Sequence, residues 1–505
     1  MCGIFLSNDP LIDSRCERVI EETLRFRGPD CASGLKFIGE WKAYHSRLAI
    51  IDPETGTNQP VLNKNGSILV FNGEILNYKE LGLKYFNTEY YSDTYLLNDL
   101  ILSNKLDINE LDGFFSFAFV ESDGKLKYCV RDKFGVKPLF YFQRNGFITI
   151  CSEPSTLMKI YSLKVNKEAV EEYKLFRAPL LSGSFFTGVK QVEPGHCLVN
   201  GGYFDAKEYI NENYTEVSTN ELRKGLEIGI KTREISDVPI ALLLSKGVDS
   251  NLIFHHSSVD KYYSIGFEGD EDFDYLNSQE IKNLTLVECS PEEYKDAFYF
   301  LLNLRCEPMS VPNEVLIYIL AKKAAQDGVK VLLSGEGADE FFGGYDRVFQ
   351  WASKVKEFDF DVFMGMYAYR DVSRDSLVYN KIKNIFERID ANPFEKVRWF
   401  FIRYHMPVLF RRLDFATMAA GIEGREPIAN KHLFDIAMKL SSEVLMGDSL
   451  GKLPLRHLLS ESMGEDFAFE KKVGFPVDLK SIFSEKSNRS NYDIWFDENL
   501  KVLSS

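Results

Sequence analysis

The sequence lacks the features that mark membrane, secreted and zinc-stabilised proteins. No apolar run approaches the roughly 18 residues that a membrane-spanning helix needs, so no membrane association is expected. The N-terminal MCGIFLSNDP has neither the basic start nor the apolar stretch of a secretory signal, which predicts a cytoplasmic protein. The eight cysteines form no C-x-x-C pair, which argues against a zinc site and against a disulfide framework.

Positive charge is also scarce in this chain. Lys and Arg number 60 against 75 Asp and Glu, which gives a net charge of -15. An acidic surface repels phosphate backbones, so we expect no nucleic-acid partner. Apolar residues make up 45% of the sequence, enough for globular cores, and a length of 505 residues fits two large domains.

The first 205 residues have the pattern of a layered β-rich domain with helices. Short apolar runs alternate with turns that contain Gly, Asn and Asp, a pattern typical of strands. We predict strands at 67–72, 114–121, 126–131 and 147–151, and helices near 13–26 and 92–102. We place the domain boundary at a polar, glycine-containing segment, giving domains 2–205 and 206–505.

The second domain has the pattern of a parallel sheet. Predicted strands at 239–245, 262–267 and 330–334 alternate with predicted helices at 291–304 and 314–327. Alternating strands and helices indicate an α/β fold whose sheet is covered on both faces. Beyond residue 344 the sequence is mainly helical, so we expect helical additions to this domain.

Cys2 is a candidate nucleophile because of its position in the chain. Removal of Met1 would leave a thiol and a free α-amine on one residue. Such an amine titrates at about 7.7–8.0 and can act as general base for the thiol, so no Cys–His pair is needed. A Met-Cys start alone is usually incidental, and the candidate depends on further motifs.

Those motifs are present across the first domain. They are RFRGPD at 25–30, HSRLAIID at 45–52, FNGEILNY at 71–78, YSD at 91–93 and RDKFGVKPLFY at 131–141. With Cys2 they resemble, in order and spacing, the class II glutamine amidotransferase domain. The resemblance implies a four-layer αββα N-terminal-nucleophile sandwich. A structural turn explains 25–30 equally well, and for 131–141 we favour a role in domain packing.

The same resemblance implies a role for each matched residue. Cys2 would attack the side-chain amide of glutamine, and Asn72 with the Gly73 N–H would form the oxyanion hole. Arg47 would hold the glutamine α-carboxylate and Asp93 the α-amine. Glutamine would also lie near Ala49, Ile50, Ile51 and Glu74. The chemistry needs these residue types, because a guanidinium fits a carboxylate and fixed donors stabilise a developing oxyanion.

Two loops of the second domain follow predicted strands. LSKGVDS at 244–250 and SGEGADEFFGGY at 334–345 lie where backbone N–H groups and a helix dipole bind phosphate. Acidic side chains beside a triphosphate need a metal, so Asp249 and Asp339 indicate Mg²⁺. The alternative is a pair of ordinary helix N-caps.

With EPMSVPNEVLIYILAKKA at 307–324, DFATMAAGIEGREP at 414–427 and KKVGFPVD at 471–478, these loops resemble the ATP-pyrophosphatase domain of the asparagine synthetases. The resemblance implies that a substrate carboxylate attacks ATP to give an acyl-adenylate, and that ammonia arriving by an internal tunnel displaces AMP. Implied site residues are Ser245, Gly247, Asp249, Ser250 and Lys472 at the phosphates, Leu244, Ile265, Ser334 and Gly335 at the nucleotide, Glu336 for amide formation, and Asp249 with Asp339 for Mg²⁺.

The sequence departs from the family pattern at three places. Lys246 replaces the first Gly of the usual S-G-G-x-D-S, Leu-Asp-Phe at 413–415 replaces a usual Asp-Arg pair, and Ile-Ala-Asn at 428–430 replaces Phe-Leu-Asp. Lys246 could contact the phosphates, point to solvent or block the pocket, and we hypothesise the first.

Glutamine-dependent amidation of aspartate is the leading function. Three alternatives remain: a different carboxylate acceptor, a ring-closing ligase without glutaminase, and an inactive regulatory protein. The retained Cys2, Arg47, Asn72 and Asp93 argue against the second of these. The resemblance also implies a homodimer.

Overall fold

A computed structural model describes residues 2–53, 58–210, 214–471, 477–485 and 488–504. The strands are β1 Cys2–Ser7, β2 Cys31–Ala32, β3 Lys36–Ile38, β4 Trp41–Arg47, β5 Val61–Leu62, β6 Ile68–Ile75, β7 Gly113–Val120, β8 Leu126–Arg131, β9 Phe140–Arg144, β10 Phe147–Cys151, β11 Val189–Gln191, β12 His196–Cys197, β13 Gly201–Gly202, β14 Ile240–Leu243, β15 Tyr262–Gly266, β16 Leu284–Glu288, β17 Val331–Leu333 and β18 Glu423–Arg425.

The helices are α1 Glu17–Leu24, α2 Tyr78–Phe86, α3 Asp93–Leu102, α4 Pro154–Tyr161, α5 Lys167–Phe176, α6 Thr219–Arg233, α7 Val248–His256, α8 Glu271–Ser278, α9 Pro291–Arg305, α10 Asn313–Gln326, α11 Ala338–Phe342, α12 Asp346–Lys354, α13 Phe360–Tyr367, α14 Leu377–Glu387, α15 Pro393–Phe400, α16 Met406–Ala419, α17 Lys431–Ala437, α18 Ser442–Leu445, α19 Leu453–Met463, α20 Glu465–Ala468, α21 Leu479–Ile482 and α22 Asn491–Leu500. A π-helical turn, Phe401–His405, joins α15 to α16. Among the described residues, no helix has the length and apolar character to cross a bilayer.

The N-terminal domain is a sandwich of two antiparallel sheets. One has the order β11-β9-β10-β1-β4-β2, with β3 also paired to β4, and the other has the order β13-β12-β8-β7-β6-β5. Apolar side chains from both sheets, such as Ile4 and Val70, share the core between them. Helices α1 and α4 cover one outer face, and α2 and α3 cover the other. This is the predicted αββα arrangement, and the predicted strands and helices of this half are confirmed.

The C-terminal domain is built on a parallel sheet of order β16-β15-β14-β17-β18. The predicted strands are confirmed, whereas β16 and β18 were not predicted. Strand β16 is a partly exposed edge strand, and β18 has only three residues, two of them charged. Helix α9 begins at Pro291 as predicted, with Ser290 and Glu293 forming a reciprocal capping box. Most of the described helices of this domain follow residue 344, which confirms the helical additions. The boundary at 205–206 lies between β13 and α6 and stays a prediction.

The two domains share one apolar core. Phe134 packs against Phe341 and Phe434 with ring centroids 5.4 and 5.5 Å apart, so side chains of both domains meet there. Arg131 is buried and donates to three backbone carbonyls, including that of Lys137 at 2.8 Å. Segment 131–141 therefore packs the domains together, as we favoured from the sequence.

Candidate active sites

Cys2 lies at the start of the central strand β1 and is buried, with 7% of its surface exposed. Its backbone nitrogen donates to Asn72 Oδ1 at 2.8 Å, and strand pairing places Arg47 opposite it on β4. Burial raises the pKa of the Cys2 thiol, although nearby positive charges, including Arg47, act in the opposite direction. The neutral thiol is therefore favoured, so a nucleophile here needs a base to take its proton.

Asn72 and Gly73 lie on β6 directly beneath this position. Gly73 has a φ of 128°, and a Cβ at this residue would lie 2.1 Å from the carbonyl oxygen of Phe114. Only glycine fits there. With Oδ1 of Asn72 on the Cys2 nitrogen, its amide Nδ2 lies 3.5 Å from Ser116 Oγ. The predicted oxyanion pair is thus brought next to Cys2 by the packing of the two sheets against each other.

The loop that follows β4 carries the predicted glutamine-binding backbone. Arg47 Nη2 donates to the carbonyls of Ile51 and Asp52 at 3.2 and 2.7 Å, which fixes the guanidinium beside Cys2. The Ala49 nitrogen donates to Asp30 Oδ2 at 2.8 Å. This loop is therefore held in shape by its own residues and by the 25–30 segment, so that segment has a structural role.

The second domain also contacts this loop. Asp237 accepts from the Asp52 nitrogen at 2.8 Å, and its own nitrogen donates to the carbonyl of Ile50 at 3.2 Å. Lys330 donates to Asp30 at 2.7 Å. The predicted glutamine-binding loop therefore depends on both domains. Sequence analysis missed Asp237 and Lys330, which belong to no motif.

Two acidic side chains complete the first site. Asp93 is buried at the start of α3 and accepts from the backbone nitrogens of Ile75 and Thr94 at 3.0 and 2.7 Å. Burial raises its pKa to about 6. Burial and the nearby Asp93 also raise the pKa of Glu74, whose Oε2 has no hydrogen-bond partner among the described residues. Two buried acids favour a cationic ligand group such as an α-ammonium.

The first predicted phosphate loop leaves β14 and enters α7. Ser245 Oγ accepts from the Gly247 nitrogen at 3.1 Å and lies 3.0 Å from Ser250 Oγ. Asn251 donates to the carbonyls of Ser245 and Gly247 at 2.9 and 2.8 Å, which stabilises the turn from below. Leu244 is buried at the end of the strand. The loop thus presents the N-terminus of α7 beyond the sheet edge.

The second loop meets the first because their strands are adjacent. Pairing of β14 with β17 and β15 places Ser334 and Ile265 at the same edge of the sheet. A Cβ at Gly335 would lie 2.7 Å from the Cβ of Asp249, so glycine permits this close approach. The predicted nucleotide residues of the described part of the chain are therefore brought together.

Lys452 joins the two predicted metal ligands. Its Nζ lies 2.6 Å from Asp249 Oδ2 and 2.8 Å from Asp339 Oδ1. Burial opposes the charge of Lys452, but the two carboxylates raise its pKa. A Cβ at Gly344 would lie 1.8 Å from Asp339 Oδ1, so that glycine makes room for the cluster. Sequence analysis missed Lys452, which lies about 200 residues from Asp249 in no quoted motif.

Both carboxylates thus converge on one cation position, and oxygen donors of this kind suit Mg²⁺. No group of three or more metal-ligating side chains is found in the described ranges. Two protein carboxylates supplemented by substrate phosphates are a common way of holding Mg²⁺, so Asp249 and Asp339 fit the ion.

Glu336 forms an ion pair with Arg412, a residue of α16. Nearby Glu426 is buried, and this burial raises its pKa to about 8. Arg412 was also missed from sequence, because nothing in its neighbourhood signals a contact with the loop after β17. The pair places a guanidinium beside the predicted amide-forming carboxylate, where it could bind an acceptor carboxylate.

Lys246 is held by an acidic partner in a distant segment. Its Nζ donates to Glu470 at 2.6 Å and lies 5.1 Å from the ring centroid of Tyr275. The φ of Lys246 is not positive, so a side chain at this position, where related loops have glycine, causes no backbone strain. The predicted phosphate-binding Lys472 lies outside the described residues.

A buried ion network lies between the two sites. Arg27 donates to the Cys2 carbonyl at 3.2 Å, to Glu153 at 2.7 Å and to Asp414 at 2.8 Å. Arg411, one turn before Asp414 on α16, also binds Glu153. Helix α16 is therefore linked to the Cys2 strand through Arg27, and its residue Arg412 contacts Glu336 of the second site.

Comparison with known proteins agrees with this geometry. The asparagine synthase family model matches residues 221–503, and the glutamine amidotransferase domain model matches residues 1–215. Asparagine synthetase [glutamine-hydrolyzing] 1 of Bacillus subtilis is 28% identical, covering 97% of this chain and 89% of its own length. The putative enzyme of Methanocaldococcus jannaschii is 29% identical over 82% of this chain, and that of Asparagus officinalis is 27% identical over 88%. The chain belongs to the asparagine synthase family.

Proposed function

We propose that this protein is a glutamine-hydrolysing carbon–nitrogen ligase that converts aspartate to asparagine with ATP. The observation that carries the proposal is the presence, in one chain, of a buried Cys2 and of two loops whose carboxylates Asp249 and Asp339 converge, on either side of a shared interface. Each site has the residues for one half of the reaction, and the relatives named above are glutamine-hydrolysing asparagine synthetases.

In the glutaminase half, Cys2 without Met1 attacks the side-chain amide carbon of glutamine. Its α-amine takes the thiol proton, and the 2.8 Å contact with Asn72 Oδ1 supports this role because it orients the amine. Asn72 Nδ2 and the Gly73 N–H stabilise the oxyanion. Arg47 binds the α-carboxylate and Asp93 the α-ammonium, near Glu74 and the 49–51 backbone. A thioester forms, ammonia leaves, and water releases glutamate.

In the synthetase half, the aspartate side-chain carboxylate attacks ATP and pyrophosphate leaves. Ser245, Gly247 and Ser250 bind the phosphates, while Asp249 and Asp339 would hold Mg²⁺, which would neutralise phosphate charge. Lys452, which contacts the same two carboxylates, adds a positive charge beside the phosphates. Ammonia then attacks the acyl-adenylate with Glu336 assisting, and AMP leaves. Lys246 belongs to the first loop and pairs with Glu470, and we place it near the outer phosphates.

The remaining features of the proposal follow the family and the composition. We propose a cytoplasmic homodimer, with glutamine and aspartate as substrates and no nucleic-acid partner. The negative net charge supports the last point. Light scattering of the purified protein would give the oligomeric state directly.

The test is pyrophosphate release from ATP, measured with an ammonium salt and a panel of carboxylates. Aspartate should give Mg²⁺-dependent release that Asp249→Ala removes. The matched control is Asp296→Ala, an exposed acidic residue of α9 far from the loops, which should leave the rate unchanged. If aspartate gives no turnover while another carboxylate does, the acceptor assignment is wrong and the ligase class stands.

A different acceptor is the second candidate function. The observation that favours it is Arg412, whose ion pair with Glu336 uses a residue next to the altered 413–415 segment. An acceptor with a differently placed carboxylate could use this guanidinium. The same panel, extended to sugar acids and peptides, distinguishes the two acceptor classes.

A further inference from the structure

A cavity of about 570 Å³ lies between the two domains, away from both sites described above. Its walls come from the segment after α5, from the region around β11 and β12, and from one face of the π-turn and α16. That volume is within the range of small-molecule pockets. Arg403, Pro407 and Arg411 face it, whereas Arg412 on the same helix contacts Glu336, so the cavity is separate from the nucleotide loops.

The cavity is cationic although the whole chain is acidic. Among the described lining residues, six are Arg or Lys and two are carboxylates. The six are Arg131, Arg177, Lys190, Arg305, Arg403 and Arg411. The net charge of the chain is -15, so a surplus of positive charge on one cavity wall is a local exception. Such a cavity attracts anions.

Half of these cations have no carboxylate within salt-bridge distance among the described residues. Arg131 is bound by backbone carbonyls, and Arg177 lies 4.0 Å from the ring centroid of Tyr369. Lys190 is exposed on β11. Burial, with Arg403 and Arg411 nearby, lowers the pKa of Arg131 to about 10, and a bound anion would relieve that repulsion.

Buried polar atoms in the wall also lack partners. Ser310 is 5% exposed and Arg305 is 7% exposed, yet Ser310 Oγ and Arg305 Nε have no hydrogen-bond partner among the described residues. The Nε of Arg177 is also buried and also lacks a hydrogen-bond partner among the described residues. Unpaired buried donors are rare in folded proteins because each costs free energy, and a ligand with several acceptor oxygens would satisfy them.

We propose that this interdomain cavity is a binding site for a small dianion that carries phosphate or two carboxylates, and that its occupancy is transmitted to Cys2. The route is short. Arg411 in the cavity wall binds Glu153, Glu153 binds Arg27, and Arg27 donates to the Cys2 carbonyl. An anion that draws Arg411 toward the cavity weakens its pair with Glu153 and shifts Arg27. The binding claim is independent of the proposed function, and the transmitted effect rests on its glutaminase half.

The experiment measures binding of inorganic phosphate and of succinate to the full chain by calorimetry, with neutral succinamide as control. The variants are Arg177→Gln, Arg403→Gln and their combination, with Lys190→Gln as an exposed change that should not disturb folding. Lys125→Gln, an exposed lysine on the far hairpin, is the matched charge control. Lys452→Met reports any binding at the nucleotide loops. Circular dichroism confirms that each variant is folded.

We expect saturable binding of phosphate or succinate that each cavity variant weakens about tenfold and that Lys125→Gln and Lys452→Met leave intact. Binding of phosphate alone would identify the ligand as a phosphate compound, and binding of succinate alone would identify it as a dicarboxylate. The bound anion should change the KM for glutamine severalfold in the wild type and not in the double variant. Absence of saturable binding, or binding unaffected by the double variant, overturns the site. An unchanged KM with intact binding overturns the transmission to Cys2.

Discussion

Cys2 lies on the central strand β1, with Arg47 on the neighbouring strand β4 and Asn72 on β6 of the facing sheet. Asp249 and Asp339 instead lie in the first turns of α7 and α11, beyond the ends of parallel strands. Strand pairing fixes Arg47 opposite Cys2, and the side chain of Asn72 accepts from the Cys2 nitrogen across the two sheets. The two carboxylates of the second site are drawn together by a side chain, that of Lys452. The first site is therefore held by strand pairing and sheet packing, whereas the second is held by one partly buried ion-pair cluster between helix termini.

The carboxylates of the two sites differ in burial, since the Asp249 and Asp339 side chains are 19% and 37% exposed. Cys2, Asn72, Glu74 and Asp93 are all at most 7% exposed, so the first site binds its ligand within the protein interior. In the second site Lys246 pairs with Glu470, and the segment after Glu470 contains the predicted Lys472, outside the described residues. A substitution in the first site should therefore disturb only its immediate surroundings, whereas one in the second site should disturb several segments of the chain.

Replacement of Cys2 should have the largest effect and should separate the two activities. Cys2→Ala should reduce glutamine hydrolysis to below about a thousandth, because the nucleophile is lost. Synthesis from an ammonium salt should stay within about twofold, because no residue of the second site is changed. Amide product is measured with each nitrogen source. Loss of both activities in a folded variant would show that the sites are not separable.

Lys452→Met should have the next largest effect. It removes the charge that joins Asp249 and Asp339, so pyrophosphate release should fall about a hundredfold or more. Glutamine hydrolysis should be unchanged, since Lys452 does not touch the first site. Lys354→Met, an exposed lysine of α12, is the matched control. Equal loss of hydrolysis in Lys452→Met would mean that the two sites depend on each other for their shape.

The pH dependence sharpens the account of the first site. Burial raises the pKa of Asp93 to about 6, so Asp93 is ionised above that pH and becomes neutral below it. Binding of the glutamine α-ammonium needs the ionised form, so kcat/KM for glutamine should fall about a further tenfold per unit of pH below 6, beyond the fall caused by protonation of the Cys2 α-amine. Asp93→Asn should lower kcat/KM at pH 8 and remove this additional limb. An additional limb that persists in Asp93→Asn belongs to another group.

Lys246→Gly should give the smallest effect. The Lys246–Glu470 pair is partly exposed, so its loss should raise the KM for ATP only about two- to fivefold, and less at high salt. Glu470→Gln should give a change of similar size, because it releases the same lysine. A gain in activity in Lys246→Gly would instead identify the lysine as an obstruction and favour an impaired enzyme.

Much of the first site could be predicted from the sequence because its residues lie in short, contiguous motifs on strands. Short apolar runs between turns predicted β6, β7 and β8, and the packing of their sheet against the sheet of β1 brings Asn72 and Gly73 to Cys2. By contrast, Asp237 and Lys330 hold the glutamine loop from the other domain, and no local pattern could reveal a contact across about 185 or 300 residues.

The second site was predictable only in part, for a related reason. The loops after β14 and β17 follow apolar strands and contain glycine, so their location at one sheet edge follows from local pattern. Lys452 and Arg412 come from helices whose own sequences indicate only packing. Their roles depend on where α16 and α19 lie against the sheet, and long-range packing decides that.

By itself the sequence determined the α/β class, the two sheet types, the nucleophile candidate and the phosphate loops, because each depends on the periodicity or chemistry of a few adjacent residues. Only the tertiary structure decided which distant charges meet. The pairing of Lys452 with two loops, the bridge from Arg27 to α16 and the cationic interdomain cavity all join segments far apart in the chain. Buried charges need partners, and the fold determines which partners come within reach.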